Sequence, residues 1–336
     1  MKRKKLSRSI AGISLIAICA LISGCAHETT QVEGIIETLP PETGIKMYTY
    51  VSELVKISPR DSGTLNSSLA SRWIATQIQR LGYKPKADAW TESTAFGSKA
   101  FCNVYVDIPG KSDRIILIGS HYDTKAGICD DFQGANDGGS TTGVLLGLIE
   151  HFSNTRPQLY HTIRFAFFDG EECYGSKYQD DDGLHGSKRM AYQFVKDRSS
   201  SRLIAAIIID MVGDFNQKLE IPRNVTPWLA TIAVRETADN PEAARVTLGS
   251  SILIDDHIPF LISGFPALNL IDFEYGSAPG KNDYWHTPED TIDKIDPNSL
   301  HKTGNLVVGI LNRIERGDDV PPELKPPRQN TANTAQ

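Results

Sequence analysis

The sequence has few cysteines, no excess of positive charge and no thiolate cluster. Its 336 residues contain Cys19, Cys25, Cys102, Cys129 and Cys173. Only three cysteines follow Cys25, an odd number, so at most one disulfide can form downstream and no disulfide scaffold holds the fold together. The formal charge of −6 disfavours nucleic acid as a partner. The glycine-rich stretch Gly134–Gly143 has no lysine where a phosphate loop needs one. Asp255-Asp256-His257 comes without a nucleophile elbow, which argues against a serine-type triad. No internal repeat breaks the centre of the chain.

The N-terminus is expected to lie outside the fold. Lys2, Arg3, Lys4, Lys5 and Arg8 precede an apolar run, Ile10–Ile22, that is too short to span a bilayer comfortably. Leu21-Ile22-Ser23-Gly24-Cys25 resembles a bacterial lipobox. That resemblance implies a signal peptide over residues 1–24 and acylation of Cys25. It also implies an exported lipoprotein facing the periplasm, held on a membrane. Ala26 rather than Asp follows the cysteine, so nothing argues for inner-membrane retention and the outer membrane is favoured. Residues 25–42 read as a polar tether, and residues 317–336 as a disordered Pro-rich tail. Residues 43–316 remain, roughly 270, which suits a large single-domain α/β enzyme.

Within that span helical and strand-like segments alternate. Met47–Ile57, Leu65–Leu81, Ser140–Phe152, Ser187–Val195, Pro227–Thr237, Pro259–Ser263 and Leu300–Ile314 read as helices. Asn103–Ile108, Arg114–Gly119, Ile163–Phe168, Leu203–Met211 and Ala267–Ile271 read as strands. The fold class expected is α/β, a three-layer αβα sandwich around a mixed, mostly parallel sheet. In such sheets ligands bind beyond the carboxyl ends of the strands. Polar residues gather at those ends: Asp123, Glu171-Glu172, Asp210 and Asp272.

Five segments supply candidate metal ligands: His121-Tyr122-Asp123, Asn136-Asp137, Glu171-Glu172, Asp210 and Trp285-His286-Thr287. Histidine with carboxylate and no thiolate suits catalytic zinc. Taken singly, each segment is as compatible with a helix cap or a satisfied polar residue. Together they would place several carboxylates in one dry site, which is unfavourable without a cation. Asp180-Asp181-Asp182 reads as either a calcium site or a solvated charge run.

GSHYDT, GANDGGSTTG, FFDGEE, IDMVG and YWHTPEDT, in this order over residues 45–315, resemble the M28 family of zinc peptidases. The resemblance implies a zinc aminopeptidase-like fold, with metal-ligand positions at His121, Asp137, Glu172, Asp210 and His286. The family includes two-metal aminopeptidases and one-zinc glutaminyl cyclases. A long insertion after Glu172 with a second Gly-Ser at Gly186-Ser187, the segment DDHIPFLISGFPALNLI, and Trp285 before His286 look closer to the cyclases. Gly175-Ser176 offers a competing, shorter alignment.

The cyclase resemblance implies an acyltransferase that converts N-terminal Gln, or Glu, of peptides and proteins to pyroglutamate. One zinc would sit on Asp137, Glu172 and His286, with two ions possible if His121 and Asp210 also bind. Glu171 would move the proton, and Asp210 and Asp256 would join it in a carboxylate network. Trp285 would wall the substrate pocket, and Asp123 would stand behind His121. The insertion carries Tyr174 and Tyr178 but no tryptophan, so the pocket wall departs from the animal cyclases. The alternative is a two-zinc aminopeptidase.

Overall fold

The computed structural model describes residues 36–197 and 200–327. Cys25, the leader and most of the expected tether lie outside the described residues. One eight-stranded sheet forms, built from β1 (Lys86–Thr94), β2 (Gly97–Ile108), β3 (Ile115–His121), β4 (Thr162–Phe168), β5 (Leu203–Asp210), β6 (Leu219–Ile221), β7 (Val246–Leu248) and β8 (Ala267–Ile271). The strand order is β1-β2-β4-β3-β5-β8-β6-β7. The four central strands, β4-β3-β5-β8, run parallel. Antiparallel pairings attach β2 to β4, β1 to β2 and β6 to β8, which makes the sheet mixed.

The central strands are apolar on both faces because helices cover both. Along β3, Ile116 and Ile118 face one core while Ile115 and Leu117 face the other. The larger core lies under α1 (Thr43–Leu54), α2 (Leu65–Arg80), α3 (Thr141–Thr155), α5 (Pro227–Asp239) and α7 (Pro297–Arg316). The smaller one lies under α4 (His185–Lys196) and α6 (His257–Ile262), where Met190, Phe194, Phe260 and Phe265 meet the sheet. This is the expected three-layer sandwich. Helix starts follow local chemistry: Thr64 caps α2 by accepting the Ser67 N–H, and Asp296 caps α7 by accepting the Asn298 N–H.

Some expectations need correction. Residues 86–94 form a strand that the sequence reading missed, because KADAWTEST is polar and sits at the sheet edge. Strands β6 and β7 are three residues each, too short for a periodicity to show. The boundaries expected at 43 and 316 are also too narrow. Ile36 and Leu39 are buried in the main core, and Val320 is buried past the end of α7. Asn312 grips Ile36 from both sides: its Oδ1 accepts the Ile36 N–H at 2.7 Å and its Nδ2 donates to the Ile36 carbonyl at 2.9 Å. Asn305 accepts the Leu39 N–H at 2.9 Å. Cys102, Cys129 and Cys173 are all free thiols, so no disulfide joins them. Among the described residues no helix is long and apolar enough to cross a membrane.

A chain that starts at Thr43 should therefore be less stable than one that starts at residue 33. Loss of the Ile36 and Leu39 side chains from the core costs about 2–4 kcal/mol after the ordering entropy of the segment is offset. Urea unfolding midpoints of the two chains check this, and equal midpoints would contradict it.

Candidate active site and metal centre

The carboxyl ends of β3, β4 and β5 deliver His121, Glu171-Glu172 and Asp210 to one edge of the sheet. Asp137 arrives on the kinked turn Ala135–Ser140 that opens α3. Gly138 in that turn has φ +73°, and a Cβ there would lie 2.9 Å from His121 Cε1 and from the Asp123 carbonyl. The glycine is required both for the left-handed backbone and for the close approach. His286 comes from the loop after β8 and itself holds φ +55°, as Met211 does at +47° directly after Asp210. Left-handed backbone at bulky residues beside a reacting centre is strain that the surrounding contacts must enforce.

Two ligand groups emerge, each with its donor atoms within 4.8 Å of one another. They are Asp137–Glu172–His286 and His121–Asp137–Asp210, and Asp137 is common to both. His286 Nε2 lies 2.9 Å from Glu172 Oε1 and 3.3 Å from Asp137 Oδ2. His121 Nε2 lies 3.1 Å from Asp137 Oδ1 and 3.3 Å from Asp210 Oδ1. All five expected ligand positions are thus brought together. Asp137 Oδ2 is buried and, beyond its 3.3 Å contact with His286, has no hydrogen-bond partner. The donor chemistry fits a divalent zinc-like ion on either triad.

The electrostatics show the same demand for positive charge. Burial would lower the His286 imidazolium pKa, but Asp137 and Glu172 outweigh it and lift it to about 10. Burial also works against protonated His121, and Asp123, Asp137 and Asp210 again outweigh it. Glu172 is raised to about 7 by burial and by Asp137. Asp210 is raised by burial, against the pull of His121. Glu171 is raised well above the ordinary carboxylate range by burial, with Glu172, Asp255 and Asp256 adding to the shift. Among the described residues the imidazoles are the positive groups that Asp137, Glu172 and Asp210 meet at this range, a role a metal ion would take over.

Two buried aspartates fix the backbone that carries the ligands. Asp123 accepts the backbone N–H groups of both Glu171 and Glu172, each at 3.2 Å, and lies 3.5 Å from His121 Nδ1. It therefore stands behind His121, as expected, and also orients the glutamate pair. Asp290 was missed by the sequence reading, although its position four residues after His286 was a usable signal. Its carboxylate accepts the N–H of Asn136 at 2.7 Å, the N–H of Asp137 at 3.2 Å and the Tyr275 hydroxyl at 2.8 Å. Arg60, fully buried, ties the same loops by donating to the carbonyls of Tyr122, Gln133 and Gly134. Asp272, although at a strand end, does not join the site. It accepts the N–H groups of Lys218 and Glu274 and shapes the loop.

The expected hydrogen-bond network of Glu171, Asp210 and Asp256 is not formed among the described residues. Asp210 engages His121, and both carboxylate oxygens of Asp256 are buried without a partner. Carboxylates can bond to one another only by sharing a proton, so proximity alone does not create a network. Asp255, not Asp256, lines the cavity beside Glu171 and Asp210, and Asn269 donates to it at 2.7 Å.

That cavity, about 440 Å³, is lined by Asp137, Glu171, Glu172, Asp210, Trp285 and His286, and by Tyr178 from the insertion. Trp285 is half-buried and lies flat on the His286 ring, with centroids 4.0 Å apart at 25°. It lines the cavity and also packs against the small apolar cluster of Met211, Ile271 and Tyr275. Asp182 anchors the insertion by accepting the N–H groups of Tyr174 and Gly175 at 2.7 and 2.8 Å, so it is committed to shaping the loop, and the calcium reading lapses. A groove of 530 Å³ between α5 and the β6–β7 end is larger, but no acidic, histidine or cysteine residue lines it, so the chemistry does not reside there.

Comparison with known proteins decides the family. The model of peptidase family M28 matches residues 103–311, more than half of the chain. The chain belongs to peptidase family M28. It is 25% identical over 262 residues to a glutaminyl-peptide cyclotransferase of Drosophila melanogaster, covering 71% of this M28 chain and 72% of that protein. It superposes on an Acidobacteriales bacterium glutaminyl cyclase with a TM-score of 0.77 and 30% identity, covering 84% of this chain and 97% of the other. A zinc-dependent exopeptidase from Parabacteroides distasonis shares the fold alone, with a TM-score of 0.68 at 22% identity over 82% of this chain and 99% of the other.

Asp290→Ala should leave three buried donors without an acceptor. The expected cost is about 3 kcal/mol in unfolding free energy. Zinc affinity should fall by roughly 10- to 100-fold, because the ligand Asp137 loses its backbone anchor. Chemical denaturation and zinc titration check both. Unchanged zinc affinity would remove Asp290 from the metal centre.

Proposed function

We propose that this protein is a zinc-dependent glutaminyl-peptide cyclotransferase that converts N-terminal Gln, or Glu, of peptides and proteins to pyroglutamate, releasing ammonia from Gln. The observation that carries the proposal is similarity to glutaminyl cyclases over nearly the whole catalytic domain, with the acid-and-histidine centre complete. Asp137, Glu172 and His286 would hold one zinc. When bound, that ion supplies a Lewis acid for the γ-carbonyl of the substrate. His121 and Asp210 would remain around it as neighbours of Asp137.

The reaction needs no water nucleophile. The substrate's α-amine nitrogen forms a bond to its own γ-carbonyl carbon, and the C–N bond to the side-chain amide breaks. Glu171 lines the cavity beside the ligand triad and can take the proton from the attacking amine. It then returns that proton to the departing nitrogen, which leaves as ammonia. A raised pKa suits a carboxylate that must both accept and donate. Trp285 walls the cavity, excludes water and holds the substrate folded, and this positioning supplies much of the rate in an intramolecular attack. Asp255 would stand beside Glu171 in this reading, a role supported by its position in the cavity lining.

The second reading is a two-metal aminopeptidase. The observation that favours it is the intact His121–Asp137–Asp210 triad. Export and a lipid anchor at Cys25 also belong to the proposal and rest on residues 1–25 of the sequence.

Mass spectrometry of a Gln-initiated and a Leu-initiated peptide, incubated with a chain starting at residue 33, tests the reading. The Gln peptide should lose one ammonia and the Leu peptide should stay intact. Removal of the first residue from either would establish the aminopeptidase. Glu171→Gln should keep the unfolding temperature and bound zinc while kcat falls by about 100-fold or more. Retained turnover would take Glu171 out of the mechanism.

A further inference from the structure

Asp169 is a buried carboxylate behind the glutamate pair, 1% exposed, directly after β4. Its hydrogen-bond partners among the described residues are uncharged. The Cys102 N–H donates to Oδ2 at 2.9 Å. Ser67 Oγ lies 3.2 Å from Oδ1 and 3.1 Å from Oδ2. Ser62 Oγ lies 2.8 Å from Oδ1, and the same oxygen lies 3.1 Å from Asp123 Oδ2. Asp123 in turn accepts the N–H groups of Glu171 and Glu172.

These contacts need one more proton than two ionised aspartates supply. A serine hydroxyl has a single O–H to donate, and an ionised carboxylate only accepts. With both acids ionised, Ser62 donates to one and turns its lone pairs on the lone pairs of the other. A proton on Asp169 Oδ1 removes the conflict. Asp169 then donates to Ser62, Ser62 donates to Asp123, and Cys102 and Ser67 donate to Asp169 Oδ2. The proton belongs on Asp169, because Asp123 faces His121 Nδ1 at 3.5 Å and two backbone N–H groups, which favour its anion.

We infer that Asp169 is a positioning residue: as a neutral carboxylic acid it directs the Ser62 hydroxyl onto Asp123, and so holds the backbone of the glutamate pair. Burial and the Asp123 charge push the Asp169 carboxyl up to about 7. Of the titratable groups that face it, Tyr122, Tyr174 and Cys102 are themselves pushed up by burial and stay neutral. Arg72 of α2 lines the cavity on its outer side and forms no ion pair with it among the described residues.

Asp169→Asn keeps a donor for Ser62 and an acceptor for Cys102, and it cannot titrate. An acid protonated in the fold and ionised in the unfolded chain contributes stability that is lost as pH rises from its ordinary 3.8 to about 7. Unfolding of the zinc-loaded protein at pH 5 and pH 7 should therefore show wild type losing stability relative to Asp169→Asn. The ratio of the two unfolding constants should change by more than about tenfold. A ratio that stays flat, or moves the other way, would mean an ionised Asp169 and would overturn the inference. Ser62→Ala cuts the chain and leaves both acids in place. It should lower zinc affinity by about tenfold and lower kcat on a Gln peptide with little change in KM, whereas Asp169→Asn should retain most of both. Wild-type zinc affinity in Ser62→Ala would overturn the positioning role. The kcat measurement rests on the cyclase reading. If no Gln peptide is cyclised, that reading fails, while unfolding and zinc binding still decide the role of Asp169.

Discussion

Mutual repulsion of buried carboxylates governs this molecule. Asp123, Asp137, Glu172, Asp210, Asp255, Asp256 and Asp290 are all buried around one end of the sheet, and Glu171 sits half-buried among them. In a low-dielectric site each uncompensated anion costs several kcal/mol. The fold answers this in two ways. Some of the acids are given to backbone N–H groups, as Asp123 and Asp290 are. Asp137, Glu172 and Asp210 converge on two imidazoles at distances that suit a shared cation.

The scaffold explains why the convergence is accurate. Parallel strands β3, β4 and β5 end at the same edge, so β3 and β5 contribute their last residues, His121 and Asp210, and the loop just beyond β4 contributes Glu171 and Glu172. In the loop after β4 the two adjacent side chains diverge, so Glu172 meets His286 while Glu171 lines the cavity. The same Asp123 carboxylate holds both of their backbone N–H groups, which fixes the divergence. The strained conformations of Met211 and His286 lie next to, or on, ligand residues. Such strain persists only where packing over-determines it, and here the Trp285 ring lying on His286 supplies part of that packing.

The central sheet and the acids and histidines that gather at its edge were legible in the sequence because both leave local marks. LIAAIIID is apolar throughout because both of its faces are covered, and the acids appear directly where such runs stop. What could not be read depends on contacts distant in the chain. Nothing local in Ile36 or Leu39 reveals that Asn312 and Asn305, on the last helix, fix their backbone. Strand β1 is polar and takes its form from pairing with β2. Asp255 and Asp256 are indistinguishable as letters, and only the packing of α6 determines which one faces the cavity. Asp290 looked like one more acid in a loop, because its partners are backbone groups of the turn at Asn136 and Asp137.

On the cyclase proposal, one divalent ion held by Asp137, Glu172 and His286 would be sufficient for turnover. Zinc titration into metal-free protein, followed in parallel by calorimetry and by ammonia release from a Gln peptide, tests it most directly. Activity should rise linearly and be complete at one equivalent, with the unfolding temperature rising over the same range. Activity that appears only as a second equivalent binds would contradict it and would make His121 and Asp210 ligands of a working second ion.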